Sequence, residues 1–110
     1  MTSEEKRKLD TYFGFLQKMK ALRVGEKLEE ALYDRKLSVV LITKECSLKN
    51  EEKLRDQGKE RKDVTFFRYD GSYPIALACG YEKLKAVGLV DEHLGKAILS
   101  ILQNDKTEEK

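Results

Sequence analysis

The sequence is poor in the residues that most often carry chemistry: one histidine and two cysteines among 110 residues. His93 has no sequence-near cysteine or second histidine, and no nucleophile pattern accompanies it, so neither a metal site nor a catalytic base is expected. Cys46 and Cys79 stand far apart in sequence. They read as buried free thiols of a reducing cytoplasm, because a disulfide or metal site would need partners the sequence does not provide. No apolar run reaches the roughly 18 residues of a membrane-crossing helix. The opening segment, Met1-Thr2-Ser3-Glu4-Glu5-Lys6-Arg7-Lys8, lacks the apolar core of a signal peptide. A cytoplasmic protein with no membrane partner is therefore expected. Asp70-Gly71-Ser72 has neither the glycine spacing nor the Lys-Ser/Thr of a phosphate loop and reads as a turn. Glu29 with Glu30, and Asp91 with Glu92, are adjacent carboxylates that point apart on a helix, so paired acid–base work is not expected. The chain reads as no enzyme, with no cofactor and no metal.

What is present is charge and periodicity. Hydrophobic residues make up 40% and charged residues 38%, with 22 basic and 20 acidic side chains leaving a net charge of +2. The length fits one domain, residues 1–110, with an ordered core over about 9–103 and charged, loose termini. Because the total field is weak, attraction to nucleic acid would have to come from local clustering of cations.

Leu9, Tyr12, Phe13, Leu16 and Met19 form one stripe of an amphipathic helix preceded by a charged lead over 1–8. Phe15 lies off that stripe, and the basic group Lys18, Lys20 and Arg23 falls near the helix end. Gly25 then opens a short helix over 25–34 with Leu28, Ala31 and Leu32 inward. Residues 38–43 are a continuous β-branched and leucine run, a strand covered on both faces. A charged, mostly solvated helix over 48–61 follows, capped by Ser47, then a strand over 64–67. Pro74 suits the first turn of a helix over 73–79, Gly80 ends it, and 84–90 supplies a third strand. Asp91 starts a last helix through Leu94, Ala97, Ile98, Ile101 and Leu102, and the tail from Asn104 reads as loose. This alternation predicts an α/β fold, a three-layer α/β/α sandwich on a small mixed, largely parallel sheet.

Four segments then carry a resemblance. They are Phe13-Gly14-Phe15-Leu16-Gln17-Lys18-Met19-Lys20 with Val24-Gly25-Glu26, and Val39-Val40-Leu41-Ile42 with Glu45-Cys46-Ser47. The others are Ile75-Ala76-Leu77-Ala78-Cys79-Gly80, and Ala86-Val87-Gly88-Leu89-Val90-Asp91 leading into Leu94-Gly95-Lys96-Ala97-Ile98. In order and spacing the chain resembles the bacterial YlxQ-like branch of the large-subunit ribosomal protein seven-Ae superfamily. The resemblance implies an α/β/α sandwich that binds kink-turns or related bent RNA. It implies that the second helix start meets the RNA and that the loop before the last strand grips it. In well-studied members the helix start reads Gly-x-Asn-Glu-x-x-Lys. Gly25 matches, with Glu26 and Lys27 beside it, but the lysine does not. Counting forward from Gly25 puts Ala31 at its place; counting back from the strand puts Glu30 there, which keeps Ala31 and Leu32 on the apolar face. Either way a cation is missing, and a carboxylate near phosphate repels it.

The candidate RNA-binding residues are Arg23, Gly25, Glu26, Lys27 and Glu30, with Tyr81, Glu82 and Lys83 of the flanking loop. Lys85 reads equally as a contributor of positive charge or as an edge lysine. The resemblance implies structured RNA as partner, ribosomal RNA among the possibilities, with ribosome-associated proteins and a place in translation. The alternative is a protein-interaction adaptor on the same fold that has lost its grip on RNA.

Overall fold

A computed structural model describes residues 1–34, 37–59 and 63–105. Helix α1 (Ser3–Lys18) starts ahead of Leu9, so the charged lead is its first turns. The signal is local: Thr2 accepts from the Glu5 N–H, and the Glu5 side chain accepts from the Thr2 N–H, a capping box. At the other end the Ala21 N–H reaches back to Leu16 O at 2.9 Å and the Lys20 N–H to Gln17 O at 3.1 Å. This closes the helix with Lys20 at φ 56°, a conformation that favours glycine. Lys20→Gly is expected to stabilise the fold by about 1 kcal/mol, seen as a higher urea midpoint at unchanged slope.

Next come β1 (Leu22–Arg23), α2 (Glu26–Asp34), β2 (Val39–Thr43), α3 (Leu48–Gln57) and β3 (Thr65–Tyr69). The chain then passes through α4 (Ile75–Ala78), β4 (Ala86–Leu89) and α5 (Glu92–Gln103), which Asp91 caps through the Leu94 N–H at 2.8 Å. The helix expected over 48–61 ends by Gln57 with Gly58 as its cap; positions 60–62 lie outside the described residues. The two residues of β1 are too few to leave a sequence pattern.

The strands form one mixed sheet in the order β1-β4-β2-β3. Among the described residues only β2 and β3 pair in parallel, with Leu41 opposite Phe67; β4 runs antiparallel to both β2 and β1. The α/β/α sandwich is as expected, but the sheet is not largely parallel. The segment between β3 and β4, residues 70–85, holds the 4-residue helix α4 and returns to the rim at which β3 ends. Strand β4 thus begins at the end where β3 stops and runs back against β2.

Alternation along β2 divides the core. Val39 and Leu41 face the cluster beneath α1 and α5, with Phe13, Leu16, Ile98 and Leu102. Val40 and Ile42 face Leu28, Ala31 and Leu32 of α2. Each such aliphatic residue, fully withdrawn from water, contributes about 1.5–3 kcal/mol. Cys46 and Cys79 are both buried free thiols. Burial pushes the Cys79 thiol up to about 12 and raises that of Cys46. The expected loose tail is corrected at Asp105, which is buried against the Tyr69 hydroxyl; 106–110 lie outside the described residues. Among the described residues no helix is long and apolar enough to cross a membrane.

Candidate functional site

Strands β1, β2 and β3 run the same way and β4 the opposite way, so four connections gather at one rim of the sheet. They are the turn at 24–25 into α2, the 44–47 loop, the 70–74 loop and the 81–85 loop. In open α/β sheets this carboxyl edge is where ligands settle.

Thr43, the last residue of β2, fixes the 81–85 loop there. Its hydroxyl donates to Leu84 O at 2.5 Å, and its N–H donates to Lys85 O at 3.0 Å. The same hydroxyl accepts from the Glu45 N–H at 3.2 Å. One side chain thus joins two rim loops, a role that no local sequence signal announces.

Between α2 and α3 lies an open cleft of about 840 Å³. Its α2 wall is Val24, Gly25, Leu28 and Glu29, and its α3 wall includes Asn50, Lys53, Leu54, Asp56 and Gln57. The 81–85 loop closes one side with Lys83, Leu84 and Lys85. Leu28 and Leu54 make the floor partly apolar, Lys53, Lys83 and Lys85 supply positive charge, and Glu29 and Asp56 supply negative charge. Asn50, Lys53 and Gln57 recur at helical spacing on α3. That periodicity is visible in the sequence, but read alone it describes a solvated face.

Gly25 is at φ 60°, with open space where a Cβ would stand, so conformation and not crowding calls for glycine. The helix start offers fewer donors than a generic one. Of the four N–H groups such an end normally leaves free, those of Lys27 and Leu28 already turn back to Val24 O and Gly25 O, at 3.2 and 3.1 Å.

Gly25 and Lys83 line the same cleft. Glu26 and Lys27 are exposed on the first turn of α2, and Glu30 is exposed one turn on. The α2 carboxylate that lines the cleft is Glu29, not Glu30. Ala31 and Leu32 are buried, as the register counted back from the strand requires. Arg23 lies outside the lining; its Nη1 donates to Lys20 O at 2.8 Å and Leu22 O at 3.0 Å. Tyr81 is 42% exposed at the head of its loop, its N–H donating to Ala76 O at 2.9 Å.

Across the 82–84 segment lies a second, smaller cleft of about 310 Å³, bounded by the 44–45 and 71–77 segments. Glu82, Lys83 and Leu84 line it, so Lys83 and Leu84 belong to both clefts. Its 70–74 wall is tied to the core. The Tyr69 hydroxyl bonds to the Asp105 carboxylate and accepts from the Tyr73 N–H at 3.1 Å. The Tyr73 hydroxyl donates to Asp10 at 2.6 Å, and its ring stacks on Phe13 at 6.1 Å. Burial, reinforced by Asp10, pushes the Tyr73 hydroxyl far above its ordinary range, so it stays a donor. On the far side of the 44–47 loop, Arg68 holds the start of α3, donating to Glu51 at 2.7 Å and to Cys46 O at 3.0 Å.

No protein-family model matches the chain, and no curated protein matches it. Solved structures do. A protein of unknown function from Bacillus halodurans superposes with a TM-score of 0.72 at 13% identity, over 87% of this chain and 97% of that one. A Giardia lamblia 15.5kD RNA binding protein superposes with a TM-score of 0.60 at 14% identity, over 94% of this chain and 88% of that one. At such identities the likeness establishes the fold alone.

Proposed function

We propose that this chain is a non-enzymatic, cytoplasmic RNA-binding protein that recognises bent, kink-turn-like RNA and acts in translation beside ribosomal RNA. The observation that carries the reading is the meeting of the Gly25 helix start and the Lys83–Lys85 segment on one cleft. The RNA-binding neighbour of the same fold supports it.

In this mechanism Lys53, Lys83 and Lys85 hold phosphates, since affinity for RNA begins with backbone charge. A base drawn out of the helix enters the cleft over Leu28 and Leu54, and the exposed Tyr81 at the head of the 81–85 loop offers a stacking face to the flanking RNA. Glu29 and Asp56 would repel phosphate but can accept from base N–H groups, so a cleft of both signs suits an unpaired nucleotide better than a duplex. The cation missing from the helix start is supplied from α3 by Lys53. Fluorescence anisotropy tests the reading with a hairpin RNA carrying a kinked internal loop and the same RNA with the loop closed into continuous duplex. At moderate salt the looped RNA is expected to bind at least about tenfold tighter; equal affinities, or none for either, contradict it.

One observation favours a second reading, a protein-interaction adaptor: the carboxylates of Glu29 and Asp56 in a chain of net charge +2. A set of pulled-down partners unchanged by RNase would support it.

A further inference from the structure

We infer that the smaller cleft is a second nucleotide subsite, taking one unpaired nucleotide from the strand whose extruded base fills the larger cleft. The inference rests on the RNA-binding reading. Continuity comes first: Lys83 and Leu84 line both clefts, so a strand leaving the larger one over this ridge enters the smaller directly. Lys83 is exposed at the crest, where a phosphate linking the two nucleotides would lie. Lys44 adds a second cation on the far rim, beside the carboxylates of Glu45 and Glu82.

The walls fit a base. Pro74, Leu77 and Leu84 are apolar, and Leu77 is 65% exposed, a large hydrophobic side chain left open to water at the cleft. A base face covers such a surface, while its N–H edge finds acceptors in Glu45 and Glu82. At about 310 Å³ the cleft sits at the small end of ligand sites and has no room for paired nucleotides.

The cleft is also built in advance. The 70–74 wall hangs on the buried Tyr69–Asp105 pair and the part-buried Tyr73–Asp10 pair, and Asp105 Oδ2 lies 2.7 Å from where a Gly71 Cβ would stand. Buried polar networks add little net stability compared with apolar packing, so their value here is to hold one short loop in one shape.

The test uses two hairpin RNAs whose internal loops differ by one unpaired nucleotide, titrated into wild type, Ser72→Trp and Leu77→Asp. Both positions line only the smaller cleft and both are exposed, so thermal melts should match wild type. The extra nucleotide is expected to tighten binding to wild type by about tenfold, and either variant to erase that gain. Equal affinity of wild type for the two RNAs, a gain that survives both variants, or equal losses on both RNAs overturns the second subsite alone. Failure of wild type to bind either RNA overturns the RNA reading with it.

Discussion

Gly71→Ala is expected to cost about 3 kcal/mol of stability and to lower the melting temperature by about 10–20 °C. The added methyl would stand 2.7 Å from Asp105 Oδ2 and closer still to the Tyr69 hydroxyl. Tyr69 and Asp105 are both buried, at 4% and 7% exposure, so neither can swing into water to make room. Either their buried hydrogen bond opens, or the 70–74 loop shifts. Shifting it would pull the Tyr73 N–H off Tyr69 and strain the Tyr73 contact with Asp10. Ser72→Ala, one residue on and exposed, is the control and should be near neutral. A melt of Gly71→Ala within a degree or two of wild type would mean that the network does not hold the loop.

Lys83→Glu should weaken binding of the looped RNA by about tenfold to a hundredfold and reduce the steepness of its salt dependence by about one to two charges. Among the described residues Lys83 is the one cation that lines both clefts, and it is exposed, so reversal changes the field at the ridge without touching the core. Salt dependence is the informative readout. A loss of affinity with unchanged slope would show that Lys83 does not meet phosphate. Arg23→Glu gives the contrast: Arg23 lies outside the cleft lining and is folded onto the carbonyls of Lys20 and Leu22, so its effect on binding should be several times smaller.

Where a residue's role depends on its immediate neighbours, it was legible in the sequence. The both-faces burial of β2, the Asp91 cap, the inward face of α2 and the turn at Gly25 all follow from local pattern. The capping box at Thr2 and Glu5 is equally local but is hidden within a run of charge. What could not be read depends on contacts between distant segments. Strand β1 exists because Leu22 and Arg23 meet Leu89 and Gly88. The antiparallel run of β4 rests on its pairing with β2 and β1, far away in sequence. The site divides in the same way. Gly25 and Lys83 were visible as candidates, whereas Lys53 joins them only because α3 packs opposite α2. Thr43 and Asp105, which hold the two rim loops, look in the sequence like the end of a strand and the start of a tail.

The most direct measurement is an amide chemical-shift map of the ¹⁵N-labelled protein titrated with the looped RNA. The expected result is that the largest changes fall on residues 25–29, 50–57 and 83–86, the walls of the larger cleft. Changes concentrated on the outer faces of α1 and α5, or none at an RNA excess, would contradict the placement of the site.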